Sequence, residues 1–326
     1  MVARLPDPLG RACIFPFDGL YITAVDIAIV RIKRHDINPK YVMYMINSPG
    51  FRAEIKKFES GTTRKRISRK NLDKIQFDIP TLPEQNHIVA HIEELFSQLD
   101  ASVNELKTAK ERLKVYRQAV LNEAFGGIPK KAPIKEVSEF VTSGSRGWAK
   151  YYADRGARFI RITDLTRDKI CLKNDSIQYV KLPDMAEGKR SRLKKGDVLV
   201  SITADLGSIG FINDNIGEAY INQHIAMIRF ENALQGEYMA WYLKSDFGQK
   251  DLLKNKRGGG KLGLGLDDIR DTPVPIVDDR TALNTVMKIN QQLSVCDNIE
   301  QTVDTALQQA EALRQSILKK AFQKEN

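Results

Sequence analysis

The chain has 326 residues and a formal charge of +10, with 51 Lys and Arg against 41 Asp and Glu. At roughly 100–200 residues per domain, that length holds two or three globular units. The positive balance points to an acidic partner, of which DNA is the natural one. Cys13, Cys171 and Cys296 are too far apart to form a ligand set, so the sequence reads as reduced, intracellular and cytoplasmic. No run of ~18 apolar residues is present and no signal peptide opens the chain, which argues against a membrane protein.

Residues 1–80 carry 15 Lys and Arg against 8 Asp and Glu. The apolar, β-branched run from Leu20 to Ile32 predicts a strand or strand pair, and Lys74 to Ile79 predicts another. Asn38 to Lys57 reads as helical, with Tyr41, Met45 and Ile55 among its apolar positions. Gly61 to Lys70 is a basic loop. Its Thr62, Arg64, Lys65 and Arg66 are candidate phosphate contacts, with a solvated loop as the alternative.

Leu82 to Phe125 predicts one long helix of roughly 60 Å, ending in Gly126-Gly127-Ile128-Pro129. Residues 81–125 carry 5 Lys and Arg against 7 Asp and Glu, so this helix is not basic. Ile92, Leu99, Leu106, Leu113 and Val120 recur every seven residues; Ile88, Leu95, Ala109 and Tyr116 are expected at the second seam position, with a polar Ser102 among them. That stripe calls for one partner helix rather than a whole core. His87 and His91 lie four apart beside it, where packing is the expected role; the intervening Glu of a zinc-protease motif is missing.

Residues 128–280 read as a complete α/β module. A Gly/Ser loop, Ser143 to Trp148, leads into Ala149-Lys150-Tyr151-Tyr152, and Ala157 to Thr163 predicts a strand with Phe159 inward. Ser201 to Asn213 has a strand-turn-strand pattern, Tyr220 to Phe230 reads as one further strand, and Gly236 to Gly248 as a short helix. Lys254 to Gly265 is a basic, Gly-rich loop. It fails as a nucleotide phosphate loop, with Asn255 where the first Gly belongs and Leu262 after Lys261. Lys254, Lys256, Arg257 and Lys261 are instead expected to close on a DNA backbone.

The chain ends in a second helix, 281–326, with Ile289, Cys296, Val303, Ala310 and Ile317 alternating with Ile299, Ala306 and Leu313. Shifting the sequence by 197 residues superposes Ile92 on Ile289, Asp100 on Asp297, Arg117-Gln118 on Arg314-Gln315 and Phe125 on Phe322. Upstream, Gly10 falls on Gly207, Tyr41 on Tyr238 and Leu72 on Ile269. A globular unit plus a long helix is therefore duplicated. Residues 128–197 have no counterpart in the first copy, which is expected to be partial, through an upstream start, a truncated or rearranged chain, or completion by another polypeptide.

Leu82-Pro83-Glu84-Gln85 followed by Ile88 and Ile92, a helix ending in Gln118-Ala-Val-Leu and Ala124-Phe125, and the repetition of this plan resemble the specificity subunit of type I restriction-modification systems. The second copy departs at its helix start, where Asp278-Asp279-Arg280 replaces the Leu-Pro-Glu pattern. The resemblance implies α/β (α+β) target-recognition domains at 1–80 (partial) and 128–280 (complete). Long helices at 81–127 and 281–326 would pair as an antiparallel coiled coil. It further implies a non-catalytic subunit that reads a bipartite site in double-stranded DNA and docks methyltransferase subunits, with a restriction subunit as a further partner. A half-reader that homodimerises through its helices, or a truncated scaffold that binds methyltransferase subunits without reading DNA, are the alternatives. In the second module the resemblance places the loop and strand around Ser143, Ser145, Arg146, Lys150, Tyr151, Tyr152, Arg161 and Thr163 against DNA; Thr203 joins them. Arg and Lys suit phosphate or guanine, Ser and Thr either, and Tyr stacking. No cofactor is expected: neither a Gly-rich cofactor loop after a strand nor an Asn-Pro-Pro-Tyr-like motif occurs, and no nuclease or helicase motif is present.

Overall fold

The computed structural model describes residues 1–323 apart from 6–8, 63, 128–129, 184–188, 215, 255 and 257–262, with the side chain of Lys189 also outside it. The chain folds into two compact units: Met1–Lys110 with Gln301–Asn326, and Glu111–Glu300. Each long helix thus contributes to both.

In the first unit, β1 (Val2–Ala3) pairs antiparallel with β2 (Ile27–Ala28). The predicted strand from Leu20 to Ile32 shrinks to β2, and Leu20, Ile22 and Val25 are exposed. The reason is a shortage of partners: a strand exists only where another backbone completes its ladder, and β1 offers two residues. The predicted helix Asn38 to Lys57 is two helices, α1 (Pro39–Asn47) and α2 (Pro49–Lys57), separated by Ser48. Pro49 disfavours helical backbone in the residue before it, and the Ser48 hydroxyl then caps α2 by accepting from Phe51 N–H. Tyr41, Met45 and Ile55 are buried as expected. After the single turn α3 (Arg69–Leu72), the predicted strand from Lys74 to Ile79 is irregular chain.

Helix α4 (Leu82–Phe125) opens on a capping box: the Glu84 carboxylate accepts from the Thr81 hydroxyl at 2.7 Å and the Thr81 N–H at 2.8 Å. Those bonds hold the Glu84 carboxyl below its ordinary value. Gln85, fully buried, ties the helix start to the module by accepting from Asn38 N–H and donating to the Asp36 and Pro80 carbonyls. Within this unit α4 runs antiparallel to the chain's last helix, since Arg314 meets Asp100 while Lys110 meets Asp304 at 2.7 Å. Ile92 and Phe96 pack with Leu318, and Phe322 sits edge-on to Tyr41, ring centroids 5.3 Å apart. His87 and His91 face solvent and have no packing role.

The second unit contains two four-stranded sheets. One has the order β4 (Phe140–Ser143), β11 (Ile225–Arg229), β8 (Val198–Ser201), β9 (Ile209–Phe211), all antiparallel. The other runs β10 (Ala219–Ile221), β6 (Ala157–Ile160), β7 (Tyr179–Val180), β5 (Tyr152–Ala153), with β10 and β6 parallel. A strand pair, β3 (Lys131–Pro133) with β12 (Pro273–Pro275), and the short α5 (Ile134–Val137) and α8 (Leu266–Arg270) complete the module around α6 (Ala233–Lys244) and α7 (Asp246–Leu252). Two sequence expectations shift here. The strand from Ala157 ends at Ile160, and Ile162–Asp164 is a single 3-10 turn. The run from Tyr220 to Phe230 is not one strand but β10 and β11, in different sheets, broken at Asn222-Gln223-His224.

The last helix, α9 (Asp279–Ala321), is capped by Asp278, whose carboxylate accepts from Thr281 N–H at 2.8 Å and is held below its ordinary value by that bond. In the second unit α9 meets α4 through Arg117, buried, which donates to Asp297 at 2.6 Å and Glu300 at 3.1 Å. Lys169 joins the cluster at 3.0 Å from Asp297. Burial pushes the Asp297 carboxyl up, but the bonds from Lys169 and Arg117 outweigh it and hold it below its usual range.

Of the first predicted seam position, Ile92, Val120, Ile289, Cys296 and Val303 are buried; the second is mixed, with Ile88, Leu95, Ala109 and Ala306 half-buried and Tyr116, Ile299 and Leu313 exposed. Arg117, next to Tyr116, is buried instead of it, and Val89, Phe96, Val286 and Leu293 are buried as well. Among the described residues no helix is long and apolar enough to cross a membrane, and no cluster of metal-ligating side chains forms.

Candidate nucleic-acid interface

Three loops of the second unit, and the chain at Gly263, meet at the Asn222–His224 turn between β10 and β11. Gly144 N–H donates to Ile225 O at 3.4 Å, and Ser145 bridges to Asn222. Asn222 N–H in turn donates to Ile160 O, at the end of β6. Ile202 N–H donates to His224 O at 2.9 Å, and Thr203 bridges to Gly263, where the Gly-rich basic loop returns. Ser143 and Ser145 from one stretch of sequence and Thr203 from another are thereby gathered around the Asn222–His224 turn.

The close approach depends on Gly144. A Cβ there would lie 1.9 Å from Ile221 O and 2.5 Å from Asn222 O, against backbone that cannot swing aside. Gly144→Ala is expected to cost about 1–3 kcal/mol of unfolding free energy through overpacking and to lift the Ser143–Gly147 loop off the turn. Urea denaturation checks this; a variant as stable as the parent shows that the loop has room to yield.

Arg146, Lys254 and Lys256 are exposed, and among the described residues none of them has an ion-pair partner. Unpaired cations on loops are what phosphate neutralisation requires. Arg257 and Lys261, the other cations expected in that loop, lie outside the described residues.

The remaining expected residues divide. Lys150 sits 5.0 Å over the Tyr151 ring, and Tyr152, exposed, packs one edge on Phe159; Trp148 is core, stacked on Phe159 and edge-on to Tyr220. Lys150 and Tyr152 are therefore available to a ligand and Trp148 is not. Arg161 is engaged within the fold: its guanidinium donates to Ser176 O at 2.9 Å, and its N–H to Asp164. Thr163 is exposed but donates to Asp164 at 3.3 Å. These two brace the turn after β6. In the first unit, Thr62, Arg64, Lys65 and Arg66 are all exposed; Lys65 pairs with Glu59 at 3.1 Å, and Arg66 exchanges backbone bonds with Ser60. They form a separate basic loop.

Sequence reading missed Asn222, Gln223 and His224. Asn222 is buried and its side chain accepts from His224 N–H at 3.2 Å, an Asx turn that breaks the strand. The His224 ring links Thr203 Oγ1 at 2.6 Å to Gln223 Nε2 at 3.0 Å. The available signal was three successive polar residues within an apolar run.

The chain matches the type I restriction modification DNA specificity domain over residues 8–112 and 130–309. It is 24% identical over 328 residues to the type I restriction enzyme EcoBI specificity subunit of Escherichia coli, covering 91% of this chain and 67% of that protein. It is also 24% identical to the EcoKI specificity subunit of Escherichia coli strain K12, covering 87% of this chain and 65% of that one. The chain thus spans about two thirds of the length of the curated relatives it matches. Its fold is similar, at a TM-score of 0.72 and 18% identity, to a chain from a structural study of complex assembly and conformational transition of the type I R-M system, covering 90% of this chain and 73% of that one. With a shared domain over most of its length and a shared fold, the chain belongs to the type I restriction-modification DNA specificity family.

Proposed function

We propose that this chain is the non-catalytic DNA-recognition subunit of a type I restriction-modification enzyme, that it docks methyltransferase subunits, and that it reads a bipartite site with domains at 1–80 and 128–280. The observation that carries the reading is the convergence of Ser145, Thr203 and the Asn222–His224 turn, with the exposed Arg146 next to Ser145 in the chain. Lys254 and Lys256, also exposed and without an ion-pair partner among the described residues, precede Gly263 in sequence. Phosphate contacts supply affinity and register, and a few polar side chains choose the bases.

The long helices at 81–127 and 281–326 form an antiparallel coiled coil whose role is spacing. Several contacts support a 197-residue repeat behind it. Asp100 meets Arg314 in one unit and Asp297 meets Arg117 in the other, and these residues exchange under that shift. Phe322 is edge-on to Tyr41 and Phe125 to Tyr238, each pair at 5.3 Å, and they exchange in the same way. The helix starts correspond too, although their residues differ: Glu84 reaches back to Thr81, while Asp278 reaches forward to Thr281.

The test is the methylated-base map of a host carrying this gene with its methyltransferase subunit, against a host lacking it. A gapped motif with two different halves supports two reading domains. Inverted halves mean that two chains pair through 128–280, and no new motif refutes sequence reading. Separately, replacing both Lys254 and Lys256 with Ala is expected to weaken DNA binding alike on all sequences and to flatten its log–log salt dependence by roughly two. An unchanged slope removes the loop from the interface.

A further inference from the structure

We infer that Gln223 is a specificity-determining residue whose side-chain amide, oriented by His224, reads an adenine in the major groove. The inference rests on the DNA-reading function proposed above and adds to it a residue and a base.

The count of available protons fixes the direction of each bond around His224. Gln223 Nε2 lies 3.0 Å from His224 Nε2, and an amide nitrogen has only protons to offer, so the ring nitrogen accepts. His224 is then the tautomer with its proton on Nδ1, which donates to Thr203 Oγ1 at 2.6 Å. Thr203 itself is anchored by its bridge to Gly263, and the His224 backbone by its bonds to Asn222 Oδ1 and Ile202 N–H. The amide is thus fixed in rotation by a chain of bonds that ends in the sheet.

One Gln223 N–H and the carbonyl oxygen Oε1 remain, and among the described residues neither has a partner. Gln223 is partly exposed, on the turn that Ser145 and Thr203 flank. A donor and an acceptor side by side on one planar group match adenine, which shows N7 as acceptor and N6–H as donor on its major-groove edge. Guanine shows two acceptors there and cytosine a donor alone, so neither satisfies both groups. Orientation in advance matters because a freely rotating amide would pay its ordering cost at each encounter.

The experiment maps methylation by the complex of this chain with its methyltransferase subunit, comparing the parent with Gln223→Ala and Gln223→Glu. Gln223→Ala is expected to leave the motif intact except at one adenine, where preference falls roughly tenfold or more. Gln223→Glu offers acceptors only and is expected to move that position towards cytosine, whose N4 donates. His224→Leu removes the orienting ring and is expected to relax the same position and no other. An unchanged motif in both Gln223 variants overturns the inference while leaving DNA reading intact, as does relaxation at a G·C position. A parent that gives no motif at all overturns the DNA-reading proposal itself.

Discussion

Ile289→Asp is expected to unfold the unit Glu111–Glu300, whereas Ile299→Asp, on the same helix, is expected to be nearly silent. Ile289 is fully buried, in one apolar cluster with Val120, Leu121, Phe125 and Leu293. A carboxylate there has no cation within the cluster, and leaving a charge unpaired in an apolar interior costs on the order of 4 kcal/mol or more. That is a large share of the stability a domain of this size holds, typically ~5–15 kcal/mol. Ile299 is 44% exposed, and a surface substitution stays within about 0.5 kcal/mol. Urea denaturation of the two variants decides it. Equal costs would place Ile299 in the seam and the register described here would be wrong.

The contrast shows where sequence stopped being informative. Every seventh residue from Ile92 was legible because isoleucine, leucine and valine repeat there, and from Ile289 because all five positions, Cys296 and Ala310 included, are apolar. The second seam position had rivals, and hydrophobicity chose Tyr116, Ile299 and Leu313 over the neighbouring Arg117, Glu300 and Arg314. The fold chooses the polar set because antiparallel packing sets Asp297 and Glu300 opposite Arg117, and Asp100 opposite Arg314. An arginine stem buries apolar surface while its head finds a carboxylate. What the facing helix carries is not written in the periodicity of either helix alone.

The interface follows the same division. Ser143, Ser145, Arg146, Thr203, Lys254 and Lys256 stood out in the sequence because glycine-punctuated loops with small polar or basic residues suit backbone contact. Their convergence was not, since it depends on pairings between residues far apart, Ser145 with Asn222 and Thr203 with Gly263. Asn222–His224 stayed hidden because isoleucine on either side made a continuous strand the simpler reading. What the charge of Arg161 did not reveal is that the fold engages it: its guanidinium donates to Ser176 O and its backbone N–H to Asp164.

The second large effect is one of pH. Lys244 is buried at the end of α6, and its ammonium donates to Thr166 O at 2.8 Å and Lys169 O at 2.9 Å. Burial is the main cause that lowers its pKa from 10.5 to about 8; Asp168 opposes this and Arg167 adds to it. Between those two values the unfolded chain still holds a proton that the folded chain has lost. Raising the pH through that window therefore favours folding, and the gain grows from pH 8 towards 10.5. Below pH 8 both states are charged and the full penalty applies, about 3 kcal/mol at 1.36 kcal/mol for each unit of pKa. Three tyrosines set the upper limit. Burial is the main cause that raises Tyr220, Tyr238 and Tyr242 to about 12, so above pH 10 the unfolded chain ionises its tyrosines first and stability falls. Lys244→Met isolates the lysine, because the tyrosines are common to both proteins. The stability of the parent minus that of Lys244→Met is expected to rise between pH 8 and 10 by about 2–3 kcal/mol. A difference that stays flat across that range would mean that Lys244 keeps its ordinary basicity, with water reaching the Thr166–Lys169 turn.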